Sequence, residues 1–155
     1  MDIIAVQDRY SPKGICFGCG SANVKGLQIK SHWEGDDLVM KFTPREEHQA
    51  FPGIINGGII GTLLDCHSNW CAATSFYYKY PNEEFPSTVT GDFHVKLTRP
   101  TPYGIELVVK ANIFEIDSKK IVVDAKILAG DRITATCRAT FFAVGEGHPA
   151  HNAWK

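Results

Sequence analysis

The stretch from Pro52 to Tyr80, PGIINGGIIGTLLDCHSNWCAATSFYYKY, constrains the fold more than any other part of the chain. No proline interrupts it after Pro52, and it is the only long segment that reads as helix. At about 100° per residue, Gly58, Gly61, Thr62, Asp65, Ser68, Asn69, Ala72 and Phe76 share one face. That face is small and polar until Phe76. Leu63, His67, Trp70, Cys71, Thr74, Tyr77 and Tyr78 lie roughly opposite and are large. The large face is expected to pack on a sheet. The small face is expected to admit another backbone or a ligand at short range.

Asn56 suits the N-cap of this helix. Gly57 and Gly58 follow without side chains, so their N–H groups are open to close approach. The first N–H groups of a helix lack internal partners and sit at the positive end of its dipole, which suits an oxyanion. Asp65 falls on the same face as Gly58, about 10 Å further along the axis. One carbonyl cannot easily meet both within one helix. An antiparallel second copy would bring one chain's Asp65 to the other chain's Asn56–Gly58, so a dimer with composite sites is expected. Asp65 stands among Leu63, Leu64 and Cys66, which favours burial, and buried carboxylates concentrate at functional sites.

The remainder reads mostly as strand. Residues 1–26 form a loop-rich lead-in. Leu27–Trp33 and Leu38–Phe42 make a hairpin around Glu34-Gly35-Asp36. Arg45–Phe51 is a polar loop or short turn carrying His48. After the break PNEEFP come four strands: Ser87–Thr98, Ile105–Ile116, Ile121–Ala129 and Ile133–Val144. In the first, Val89, Phe93, Val95 and Leu97 alternate with Thr88, Thr90, Asp92, His94 and Lys96. In the last, Ile133, Ala135, Cys137, Ala139, Phe141 and Ala143 point inward, small enough to let a helix lie across them. Residues 145–155 form a loose tail. The order predicts a single α+β domain over 1–155, an antiparallel sheet of five or six strands around one long helix.

At 155 residues, with 44% hydrophobic and 21% charged residues, the chain can bury a real core. A net charge of −1 gives no sign of a nucleic-acid or membrane partner. The start, MDIIAVQDRY, lacks the basic-then-apolar pattern of a signal peptide, and no apolar run approaches the roughly 20 residues of a membrane span. A cytoplasmic location is expected. Five cysteines, an odd number, argue against a disulfide framework. Cys16 and Cys19 form a C-x2-C with no second matched pair, so it reads as a tight Gly-rich turn and no metal is assigned. There is no G-x-S-x-G, P-loop, G-x-G-x-x-G or H-E-x-x-H.

These residues in this order resemble the hot-dog fold thioesterases, most closely the PaaI-like acyl-CoA thioesterase group, over roughly Cys16 to Val144. That group opens its helix with P-G-x-x-H-G-G and carries an Asp seven residues after the second Gly; here these are PGIINGG and Asp65. Its strand ends in R-P with a Ser or Thr ten residues before the Pro, and TGDFHVKLTRP places Thr90 there. The lead-in CFGCGSANVKGL is also similar. The resemblance implies an acyl-CoA substrate held between subunits of a homodimer, often paired into tetramers, with no cofactor beyond the substrate's own coenzyme A. It implies Asp65 as nucleophile or general base, Gly57 or Gly58 of the partner chain as carbonyl polariser, and Thr90 as holder of water or of Asp65. The family's His is Asn56 here, which can donate a hydrogen bond but cannot exchange a proton near neutral pH.

Two other readings stay open. One is a hot-dog hydratase or dehydratase acting on acyl thioesters, with His48, His67 or His94 supplying the missing imidazole. The other is a non-catalytic acyl-CoA binder.

Overall fold

The structure, a computed structural model, describes residues 3–154. A short helix α1 (Val6–Tyr10) precedes the hairpin β1 (Ser31–Glu34) and β2 (Asp37–Phe42). A 3-10 turn at Glu46–His48 leads into a small two-stranded sheet, β3 (Gln49–Phe51) with β4 (Ile54–Ile55). The long helix α2 (Gly57–Lys79) follows, then β5 (Ser87–Leu97), β6 (Leu107–Ile116), β7 (Lys120–Ala129) and β8 (Arg132–Val144). The main sheet has six antiparallel strands in the order β1-β2-β6-β7-β8-β5, and α2 packs against it. This is the α+β arrangement expected.

Alternation builds the sheet's inner face. Leu107, Val109 and Ala111 of β6, Ile121, Val123 and Ile127 of β7, and Ala135, Ala139 and Phe141 of β8 are all fully buried. Each large aliphatic side chain so buried contributes about 1.5–3 kcal/mol relative to exposure. The small alanines of β8 leave room for the helix to pack against that strand. Turns fall where glycine allows them: Gly35 (φ 63°) closes β1–β2 and Gly130 (φ 64°) closes β7–β8.

Several expectations are corrected. Ile133, assigned to an inner face, is 39% exposed, and Ile105, expected to open its strand, is 42% exposed. Ile105 precedes β6, and the register shifts between Ile127 and Leu128 at the β7–β8 end, so Ile133 turns outward. Leu27–Lys30 is not strand. Gln28 adopts a left-handed φ of 56°, and Leu27 and Ile29 donate instead to the carbonyls of Phe17 and Gly18, at 2.8 and 3.1 Å. The tail is not loose: Trp154 stacks on Trp70 at 4.6 Å, and Asn152 N–H donates to Ser87 at 2.9 Å.

The two faces of α2 also divide differently from the expectation. The sheet curls around the helix, so the small face meets a strand as well. Thr88 and Thr90 of β5 bond to Asn69 and Asp65, while Phe93 lies over Gly61. The large face is buried against β1, β2 and the lead-in: His67 bonds to Ser31 and Leu38, and Trp33 bonds to Thr74. Only Tyr78, at the helix end, stays exposed.

Candidate active site

The mouth of α2 forms as its sequence requires. Asn56 is the N-cap, and its Oδ1 accepts from the N–H of Gly58 at 2.7 Å and of Ile59 at 3.2 Å. The cap therefore uses the Gly58 N–H. The Gly57 N–H has no acceptor among the described residues, and it shares an exposed surface with the Asn56 amide. With Oδ1 committed to the cap, Asn56 Nδ2 is left to donate outward. A Cβ on Gly58 would stand 2.9 Å from Asn56 Oδ1, so any side chain there disturbs the cap.

Two turns on, Asp65 is half-buried and its Oδ1 accepts from Thr90 Oγ at 2.8 Å. Burial pushes its pKa up from the ordinary carboxylate value, the Thr90 bond opposes this, and the nearby Cys16 sulfur adds to the rise. Strict alternation would place Thr90 on the opposite face of β5 from Phe93. A bulge between Thr90 and Asp92 rephases the strand so that both face the helix. Gly91 permits it: a Cβ there would stand 2.3 Å from the Phe142 ring.

The structure thus brings Asp65 and Thr90 together, and Asn56, Gly57 and Gly58 together, but leaves the two groups apart along one helix. Beside the mouth runs an uncovered apolar edge. Phe93 and Leu97 of β5 are 45% and 58% exposed, Leu97 lies against Gly57, and β5 pairs with β8 on one side only.

The three histidines held as alternatives are placed elsewhere. His67 is fully buried, accepting from Ser31 at Nδ1 and donating to the Leu38 carbonyl from Nε2, and burial lowers its pKa to about 4. His48 accepts the Arg45 N–H, also buried and with its pKa lowered by burial. His94 lies on the outer face of the sheet with Lys96, Lys126 and Arg138. Arg138, one of the basic residues on the strands, is already held by Asp124 in a two-pronged pair at 2.7 and 2.9 Å.

No protein-family model and no curated protein sequence matches the chain. Solved structures do. A thioesterase superfamily protein from Shewanella loihica superposes with a TM-score of 0.66 at 28% identity, over 81% of this chain and 98% of that one. The PaaI protein of the Escherichia coli phenylacetic acid degradation operon matches with a TM-score of 0.67 at 17% identity, over 80% and 85%. The chain has the hot-dog thioesterase fold. A thioesterase from Haemophilus influenzae shares this hot-dog fold with a TM-score of 0.70 at 16% identity, over 86% and 89%. Within the hot-dog frame, α2 is the central helix and the six-stranded sheet is its wrapping.

Sequence reasoning missed Cys66, whose sulfur lies beside those of Cys16 and Cys19. The signal available was an odd cysteine next to Asp65. Nothing local says that the lead-in packs against that turn of the helix. Among the described residues no helix is long and apolar enough to cross a membrane.

Proposed function

We propose that this protein is an acyl-CoA thioesterase that works as a homodimer, each site combining Asp65 and Thr90 of one chain with the helix mouth of the other. The observation that carries this reading is the Asp65–Thr90 hydrogen bond at 2.8 Å on a half-buried carboxylate of raised pKa. The thioester carbonyl sits at the partner helix mouth, where the Gly57 N–H and Asn56 Nδ2 donate to its oxygen. Asp65 takes a proton from water as that water attacks the carbonyl carbon, or attacks the carbonyl itself as nucleophile. Charge develops on the carbonyl oxygen and is met by the two donors. Collapse breaks the C–S bond and releases the CoA thiolate, which takes up a proton; on the nucleophilic route the acyl group is left on Asp65 as a mixed anhydride, which water then hydrolyses to the free acid and the regenerated carboxylate. Thr90 orients the carboxylate.

The dimer reading rests on the bare edge of β5. A long unpaired edge strand with exposed apolar side chains is normally covered, and a second copy would cover Phe93 and Leu97 while delivering its helix mouth. The hydratase reading lacks an imidazole beside Asp65: His67 and His48 are tied into the core and His94 faces outward.

A panel of short, medium, long and aryl acyl-CoAs, with crotonyl-CoA hydration measured alongside, separates the possibilities. Thiol release without hydration supports the thioesterase. Hydration without thiol release establishes a hydratase, and tight binding with neither establishes a binder.

A further inference from the structure

The sulfurs of Cys16, Cys19 and Cys66 lie within 4.8 Å of one another, and Cys16 and Cys66 are 3.8 Å apart. All three are free thiols. Zinc binds thiolates at about 2.3 Å, which sets the sulfur–sulfur edge of a tetrahedral site at about 3.8 Å. The turn carrying the first two ligands is built for this convergence. Gly20 N–H donates to the Cys16 carbonyl at 2.8 Å, and a Cβ on Gly20 would stand 2.4 Å from the Cys16 nitrogen. Gly18 lets the turn reach α2, since a Cβ there would stand 2.5 Å from Cys66 Sγ.

The indole N–H of Trp70, a buried residue, has no hydrogen-bond partner within normal range. It lies beside the Cys19 sulfur. A metal-bound thiolate would give this orphan donor the charge it lacks.

We propose that Cys16, Cys19 and Cys66 form a structural zinc site that clamps the lead-in turn to α2 one residue from Asp65. Each sulfur ligates as thiolate, its proton passing to solvent, and no redox change is involved. The fourth position is taken by water on the exposed side of Cys16. This site is independent of the thioesterase reading.

The test is cobalt titration of the full chain, tag removed, reduced and handled without oxygen. One equivalent of Co(II) should bind with near-ultraviolet thiolate charge-transfer and visible tetrahedral bands, and Zn(II) should displace it. Cys66→Ser and Cys16→Ser should each weaken binding at least tenfold, whereas Cys71→Ser and Cys137→Ser should not. If Cys66→Ser does not fold, the exposed Cys16→Ser carries the comparison. The proposal is overturned if the reduced protein binds no metal, if the cluster variants bind as the wild type does, or if the Cys71 or Cys137 variants lose binding equally.

Discussion

Thr90 and burial pull Asp65 in opposite directions, and burial wins. Removing the hydroxyl leaves only the upward influences. Thr90→Val should therefore shift the acidic limb of the kcat/KM–pH profile to higher pH; an unmoved limb would mean that Asp65 is not the titrating base. The same imbalance has a sign for stability. A carboxyl whose folded pKa is raised holds its proton more tightly folded than unfolded, so stability falls as pH rises from its unfolded to its folded pKa. Asp65→Asn carries no charge to desolvate. It should raise Tm at neutral pH, and the advantage should vanish below the ordinary carboxylate range, as thermal melts at the two pH values will show. That Asp65 and Thr90 belong together was implied by the family resemblance and not by the residues alone. Their contact was not legible in the strand pattern, because strict alternation turns Thr90 away from Phe93's face and only the bulge at Gly91 restores it.

At the scale of the element, α2 declared its own start. A capping Asn followed by two glycines is a local pattern, and the helix begins at Gly57 as that pattern requires. Asn56→Ala should cost about 1 kcal/mol in chemical denaturation. It should also lower turnover, since it removes both the cap and the outward amide. His67 links the helix middle to β1 and β2. Its folded pKa of about 4 lies below the unfolded value, so the unfolded chain binds the extra proton and stability is lost as pH falls through that interval. The loss should be on the order of 3 kcal/mol between about pH 6.5 and pH 4 in denaturant titrations, and should shrink in His67→Gln. The four strands after the helix were readable too, because apolar alternation is local and the break before them carries proline, whereas Leu27–Lys30 and the small β3–β4 sheet were misplaced. The lead-in and tail were not readable. Trp154 on Trp70 and Cys66 beside Cys16 are contacts between segments distant in sequence, and no periodicity announces them.

For the whole molecule, the two halves of the site lie too far apart on one helix to act on one carbonyl. The helix geometry alone suggests this, and the exposed edge of β5 supports it. The assembled protein should have at least twice the 17.1 kDa chain mass by light scattering. Leu97→Glu, placed on that edge beside Gly57, should yield monomers with greatly reduced turnover; active monomers would contradict the composite site. The most direct measurement remains thiol release from the best acyl-CoA substrate by the wild type and by Asp65→Asn, each shown to be folded. Turnover should fall by about 10² or more in the variant. Equal turnover in the two proteins would remove Asp65 from the chemistry and with it the proposed mechanism.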